Sequence, residues 1–474
     1  MSVIGIKKAI IINFISRYSN IFIQLILNAI LARLLEPSDY GVVAIITVFI
    51  NFFTMIADMG IGPAIIQNKD LSEDDLVSIF SYTIIIAIFI SGLFILFSIP
   101  LSFFYNNKVY IKLGLVLSIS IIFSVLNMVP NSLMLKEKKF KIIGLRTVII
   151  TVFSGLITIV LAFIGFKYYA IVINSVISSL LTFILNYRTC GLKRKLSFNK
   201  DSINKIKNFS KFQFGFNLVN YFSRNLDNLL IGKFIGSESL GYYDKAYKLM
   251  LYPVQNLTNL LTSVLHPFFA DYQKNKDKIY DQYIKVIKFL SLSGIYITVY
   301  CFFSSREIIS IVFGANWDKS IPAFKILSLS IVVQVVLSST GTIFQATNET
   351  KKLFICGLIT SSINIFTIIT TVLLKKIEFI ALGIVVAYIL NFFIVYYLLI
   401  IKVFEKSIGA FLHNFISTMV ICFLCSFSLY IFNFNIKNIV LSALFKLIIC
   451  TVSYILGLFV TGEHKFFINH LKRK

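Results

Sequence analysis

The sequence predicts an all-α, polytopic membrane protein of about fourteen transmembrane helices, and three observations carry that prediction. The 474 residues are 57% hydrophobic and only 14% charged, with a mean hydropathy of +0.86, a balance that belongs to membrane proteins and leaves no room for a soluble domain. The Ile, Leu, Phe and Val residues fall in runs of about twenty, the length a helix needs to cross a hydrocarbon core of roughly 30 Å. The charges sit between those runs, so the formal net charge of +24 reads as a topology signal and not as a nucleic-acid-binding face.

The first run, 10–32, follows a short basic patch at Lys7 and Lys8. No small-residue cleavage site succeeds it, so it reads as a retained span and not a removed signal peptide. Further runs lie at 41–65, 78–101, 111–134, 142–164, 168–187, 211–234, 241–268, 284–304, 320–346, 353–374, 377–401, 409–432 and 438–461. An even count returns both termini to one side. With the N-terminus inside, the inner segments hold 28 of the 45 lysines and arginines and the outer segments ten, a bias that puts both termini in the cytoplasm.

The longest polar stretch, 188–211, contains C-G-L-K-R-K and K-D-S-I-N-K-I-K-N. It reads as a basic cytoplasmic linker, either a solvated loop or an amphipathic segment on the anionic inner leaflet. The expected organisation is a six-helix lobe over 1–187, the linker over 188–210, a second six-helix lobe over 211–402, and two additional helices with a cytoplasmic tail over 403–474. An internal repeat supports this. L-A-R-L-L-E-P-S-D-Y-G at 31–41 echoes I-G-K-F-I-G-S-E-S-L-G at 231–241, an offset of 200, and L-S-I-S at 117–120 echoes L-S-L-S at 327–330, an offset of 210. Six spans separate the equivalents, so the lobes have parallel topology and a pseudo-twofold axis along the membrane normal is expected.

Four spans carry polar residues at steps of three and four: Asn13, Arg17, Asn20, Gln24 and Asn28; Thr47, Asn51, Thr54 and Asp58; Asn217, Asn220, Arg224 and Asp227; and Lys245, Lys248, Tyr252, Gln255, Asn259, Thr262 and His266. Such steps make one stripe on a helix, and a polar stripe in a membrane helix must meet water or protein because lipid cannot satisfy it. Polar residues that merely glue helices together account for an isolated Asn or Thr; full-length stripes with Arg and Lys point to a central hydrophilic cavity. Arg17, Arg224, Lys245 and Lys248 give that cavity a cationic character suited to an anion such as a diphosphate. Asp58, Asp227, Gln24, Asn28, Asn51, Gln255 and Asn259 are its polar or coupling candidates. Alternatively, Asp227 pairs with Arg224 three residues away, Asp58 meets Arg17 across helices, and Lys245 and Lys248 snorkel to the interface.

No G-x-x-x-x-G-K-[ST] loop is present to hold nucleotide phosphates, and no nucleophile–His or paired-carboxylate arrangement suggests an enzyme. No cofactor and no metal site is expected. Cys190, Cys301, Cys356, Cys422, Cys425 and Cys450 lie almost entirely in apolar runs, so the C-x-x-C at 422–425 reads as packing.

At L-A-R-L-L-E-P-S-D-Y-G-V-V-A (31–44), D-M-G-I-G-P-A-I-I-Q (58–67) with K-D-L (69–71), Y-F-S-R-N-L-D-N-L-L-I-G (221–232), G-Y-Y-D-K-A (241–246) and V-F-G-A-N-W (312–317), the chain resembles the polysaccharide-exporting branch of the multidrug/oligosaccharidyl-lipid/polysaccharide flippase superfamily, close to teichuronic-acid, colanic-acid and O-antigen exporters. The resemblance runs over nearly the whole chain in order. It implies two six-helix lobes around a cavity, two extra helices and alternating access in a bacterial inner membrane. It also implies a substrate of undecaprenyl-diphosphate-linked oligosaccharide repeat units, received from glycosyltransferases and delivered to a polysaccharide polymerase. In family terms Arg17, Arg224 and Asp227 occupy cavity helices, while Arg33, Asp39 and Lys233 match the outer ends of two odd-numbered spans, where a gate is expected. Coupling to H+ or Na+ is characteristic of the superfamily, and no residue here selects between them. A drug exporter would be expected to carry acidic and aromatic groups for cationic drugs. A lipid II flippase is closer in chemistry, and a non-transporting scaffold is the third alternative.

Overall fold

The computed structural model describes residues 3–58, 60–193, 195–270, 275–432, 434 and 436–471. The side chains of 3–15, 206–220, 259–268, 270, 467 and 469–471 lie outside that description, and with them the stripe members Asn13, Asn217, Asn220, Asn259, Thr262 and His266. Among the described residues every regular element is helical. Ten helices are long and apolar enough to cross a membrane, and an eleventh span results if a pair bent by 47°, Ser320–Ser328 with Ile331–Ala346, counts as one. The protein is a multi-pass membrane protein.

The chain forms two compact units, Met1–Gly241 and Tyr242–Lys474. The first holds α1 (Val3–Leu34), α2 (Pro37–Asp58), α3 (Ile61–Gln67), α4 (Glu73–Phe104), α5 (Val109–Leu126), α6 (Met128–Lys136), α7 (Phe140–Phe163), α8 (Tyr168–Thr189) and α9 (Lys200–Phe234), and the start of α10 (Ser237–Ala270). The run at 41–65 is broken. Gly60, at φ +81°, takes a left-handed turn that a side chain resists, and α3 starts after it. A capping box opens α4: Ser72 Oγ accepts the Asp75 N–H at 3.1 Å and Asp75 Oδ2 accepts the Ser72 N–H at 3.0 Å. At that end Ile61, Ile65, Ile79, Phe80, Val129 and Met134 form a packed core. Further along α4, Ile85, Ile88 and Phe89 are more than half exposed, the face of a span left to lipid.

The second unit holds the rest of α10, then α11 (Lys276–Phe303), α12 (Ser305–Val312), a 3-10 turn at Ala315–Trp317, α13 (Ser320–Ser328), α14 (Ile331–Leu337), α15 (Thr340–Ala346), α16 (Thr350–Val372), α17 (Ile377–Tyr396) with a π-helical turn at Tyr397–Ile401, α18 (Ile408–His413), α19 (Ile416–Ile431), α20 (Ile439–Val460) and α21 (His464–Leu471). The run at 320–346 breaks into three helices where serines cluster. The hydroxyls of Ser328, Ser330, Ser338 and Ser339 donate to carbonyls three residues back at 2.6–2.9 Å, competing with the helical ladder at the places where it bends. All six cysteines are free; Cys425 and Cys450 belong to the core between α11, α19 and α20, so the C-x-x-C segment contributes packing.

Positions echoed in the sequence share features of local structure. At an offset of 200, Leu35 N donates to Leu31 O and Ile235 N to Ile231 O, each closing a helix. At an offset of 210, Ser118 Oγ donates to Leu115 O and Ser328 Oγ to Lys325 O, both at 2.7 Å. Positive φ recurs at the same offset, at Lys138 and Asn348 and again at Gly165 and Lys375. The turns match bond for bond: Lys139 N to Met134 O, and Glu349 N to Phe344 O. The step from 200 to 210 has a structural cause. Where the first unit passes from α4 to α5 through a short turn, the second inserts α12 and its following turn between α11 and α13.

Within the first unit the echoed motifs also touch. A Cβ on Gly41 would overlap the backbone carbonyl of Ser237, and one on Gly241 would overlap that of Pro37. The contact is reciprocal at an offset of 200, and only glycine admits a backbone approach this close.

Candidate functional site

The striped helices α1, α2, α9 and α10 carry most of the candidate residues, and within a membrane an ionised group is costly unless water or a partner solvates it. Arg17 and Gln24 are exposed on α1, and Arg224 is exposed on α9. Among the described residues no carboxylate lies within ion-pair distance of either arginine. Asp227, for which pairing with Arg224 is the alternative reading, is buried and accepts the Asn228 N–H at 2.8 Å. Asp58, for which contact with Arg17 is the alternative reading, accepts the Gly62 N–H at 3.1 Å and secures the start of α3 after the Gly60 turn. The cause is local: a carboxylate four residues before a helix's orphan N–H groups finds them first.

The polar neighbours divide between solvent and packing. Asn51 is exposed on α2 and Gln255 on α10. Asn28 Nδ2 donates to Gln24 O at 2.8 Å along its own helix. Between α2 and α9, the Tyr221 hydroxyl donates to Val48 O, and Phe52 packs against Phe222 with ring centroids 4.9 Å apart. Sequence reading did not single out Tyr221, although it lies three residues before Arg224 and so on the same side of α9.

The two lysines of α10 differ in surroundings. Lys248 is exposed and meets Asp244 at 2.7 Å, one turn away. Lys245 is only 4% exposed and lies over the rings of Phe313 and Trp317, 5.2 and 5.9 Å from their centroids. The V-F-G-A-N-W segment therefore receives a cation on its aromatic faces. Of the expected gate residues, Arg33 folds back to donate to Ala29 O at 2.8 Å, and Asp39 is buried with Oδ2 3.2 Å from the Glu36 N–H that starts α2. Lys233 donates to Phe104 O and covers the Phe104 ring.

Two buried charge clusters escaped the sequence analysis. Asp75, 5% exposed, takes Lys205 Nζ and Ser202 Oγ, each at 2.7 Å, and ties the start of α9 to α4. Glu307 of α12, 6% exposed, takes Lys446 Nζ of α20 at 2.6 Å and Ser442 Oγ at 2.8 Å, and Lys446 also donates to Phe303 O at 3.0 Å. Burial pushes the Glu307 carboxyl up, and the Lys446 and Ser442 hydrogen bonds outweigh it, leaving it below the usual carboxylate range. Both clusters had a signal: S-x-x-D ahead of an apolar run for Asp75, and a lone lysine inside an apolar run for Lys446.

The fold is similar to that of a solved structure described as the lipid II flippase MurJ in an inward closed conformation, with a TM-score of 0.77 at 18% identity over 94% of this chain and 98% of that one. The chain is 24% identical to the teichuronic acid biosynthesis protein TuaB of Bacillus subtilis (strain 168), over 70% of its own length and 69% of that protein. It is 25% identical to the lipopolysaccharide biosynthesis protein WzxC of Escherichia coli (strain K12), over 68% of its own length and 66% of that protein. Residues 30–322 match the family described as "Polysaccharide biosynthesis protein", and since that stretch takes in more than half of the sequence, the chain belongs to this family of polysaccharide biosynthesis proteins.

Proposed function

We propose that this protein translocates undecaprenyl-diphosphate-linked oligosaccharide repeat units from the inner to the outer leaflet of the bacterial inner membrane, for assembly of a surface polysaccharide. The observation that carries the reading is the family match over 30–322, taken with Arg17 and Arg224, which are exposed and have no carboxylate partner among the described residues, on helices of a membrane protein. An exposed guanidinium at such depth belongs to a water-filled path and not to lipid. In this reading Arg17, Arg224 and Lys248 take the diphosphate. Lys245 supplies charge from beneath, against Phe313 and Trp317, and Asp58, Asp227, Gln24, Asn28, Asn51, Gln255 and Asn259 supply polar or coupling groups. The lipid tail stays in the bilayer, and the protein exposes the site to each side in turn.

The architecture proposed with it has fourteen spans, since α1, α9 and α10 add three to the eleven apolar ones. Two six-helix lobes, 1–187 and 211–402, are related by a pseudo-twofold axis along the membrane normal. The offset-matched turns and the reciprocal approach of Gly41 and Gly241 support that relation. Residues 403–474 add two spans and a cytoplasmic tail, and both termini are cytoplasmic. Arg33, Asp39 and Lys233 act at the outer ends of α1, α2 and α9. Glycosyltransferases supply the substrate, a polymerase receives it, and an H+ or Na+ gradient drives the cycle.

The test is complementation of a flippase-deficient strain in which lipid-linked repeat units accumulate inside, with wild type, Arg17→Ala and Arg224→Ala at matched expression. A hydrogen bond to a charged group contributes about 1.5–3 kcal/mol, so each variant is expected to lose about ten- to hundredfold in outward delivery while remaining folded. Full delivery by both variants would remove the anion site from the mechanism. Drug efflux by a wild type that restores no donor pathway would refute the substrate assignment.

A further inference from the structure

The linker between α8 and α9 reads from the sequence as either a solvated loop or an amphipathic segment, and α9 begins within it at Lys200. Residues 190–193 and 195–199 are not helical. The backbone is instead pinned to α4: Ser197 N donates to Ser81 Oγ at 3.0 Å, Asn199 N donates to Ser78 Oγ at 2.7 Å, and Ser78 Oγ donates back to Asn199 O at 3.1 Å. Lys193 pairs with Glu73 at 2.9 Å. A segment tied to the protein by bonds two residues apart has little freedom to hide its side chains. It nevertheless presents Leu196 and Phe198 outward, 61% and 54% exposed, with exposed Lys195 and Lys200 on either side.

These two side chains lie at a particular height. The Phe198 ring meets Tyr82 edge-on, with centroids 5.5 Å apart. Tyr82 precedes Ile85, the first of the strongly exposed apolar residues of α4, by three residues, or about 4.5 Å along the helix. The exposed apolar face of α4 thus continues without a gap onto the linker. That border is where apolar side chains enter acyl chains while lysines reach headgroup phosphates.

We propose that this segment is a membrane wedge: Leu196 and Phe198 insert into the leaflet that meets the N-terminal end of α4, and Lys195 and Lys200 engage the phosphates of that leaflet's phospholipids. Asn199 caps α9, accepting the Asp201 N–H at 2.9 Å. The wedge therefore fixes the first turn of the helix that carries Arg224 to the bilayer surface.

The test uses the full chain in phosphatidylcholine vesicles, with Phe198→Trp and, separately, Leu196→Trp. The only native tryptophan, Trp317, is buried, so the wild type supplies the baseline. Lipids brominated close to the headgroup are expected to quench most of the added emission, lipids brominated deeper to quench it less, and aqueous acrylamide to leave it largely intact. Acrylamide quenching with no bromolipid effect would show a solvated loop and overturn the proposal. Protection from both quenchers would show a protein cover and overturn it equally.

Discussion

Removing Lys446 while keeping Glu307 tests how the C-terminal helices are held. In Lys446→Leu the Glu307 carboxylate, 6% exposed, keeps only Ser442. Its Oε2 is already buried without a hydrogen-bond partner among the described residues. Breaking one side of a buried pair costs about 3–5 kcal/mol. The protein can limit that loss by protonating the carboxyl. For a glutamate of ordinary pKa, about 4.3, neutralisation at pH 7 costs about 3.7 kcal/mol, at about 1.4 kcal/mol per pH unit. The expected destabilisation of Lys446→Leu is therefore about 3–4 kcal/mol at pH 7. The pH dependence separates this cause from simple packing loss. In wild type the Glu307 carboxyl lies below its usual range, so its contribution is present above about 4.3 and is lost as the pH falls through the depressed folded value. In the variant a neutral carboxyl is favoured in the fold, so the penalty is full at neutral pH and shrinks as the pH falls toward about 4.3. The assay is denaturant unfolding in detergent at several pH values, followed by Trp317, whose ring lies 5.7 Å from that of Phe313 just after α12. Glu307→Gln combined with Lys446→Leu should recover much of the loss. A Lys446→Leu penalty under 1 kcal/mol at pH 7, or one that does not vary with pH, would refute the reasoning.

Gly41→Ala and Gly241→Ala each drive a methyl into a backbone carbonyl that cannot rotate aside. Each should cost about 1–3 kcal/mol in unfolding measurements, and Gly92→Ala, where the new carbon meets nothing within 4 Å, should cost almost none. Asp75→Asn keeps the shape of the α4 cap but loses the charge that holds Lys205. Lys205 is nearly half exposed, which limits the expected loss to about 1 kcal/mol, while hydrogen exchange of the first turns of α9 should rise measurably.

The apolar runs foretold the helices because hydrocarbon admits few other solutions for a buried backbone, and residues such as the serines at 328–339 bent them afterwards. Turns at the offset of the second echo share backbone geometry: Lys138 and Asn348 differ in side chain and share the same positive φ. Partnerships were not legible. Asp58 has no helical neighbour at three or four residues to announce a mate, and it serves the N–H of Gly62. Lys245 and Lys248 look alike in sequence, yet one lies over aromatic rings and the other beside Asp244. Only the path of the 305–320 segment decides between those surroundings, and no local pattern encodes it.

The ten-residue step in the repeat also sets an order of assembly. Glu307 sits on the inserted α12, and its counter-charge arrives on α20, 139 residues later. During synthesis the second half therefore completes its own helices while carrying an acid destined for burial and still unmatched. A nascent chain stalled before Lys446 would hold Glu307 without its counter-charge, and a protease that surveys membrane proteins would meet that chain at α12.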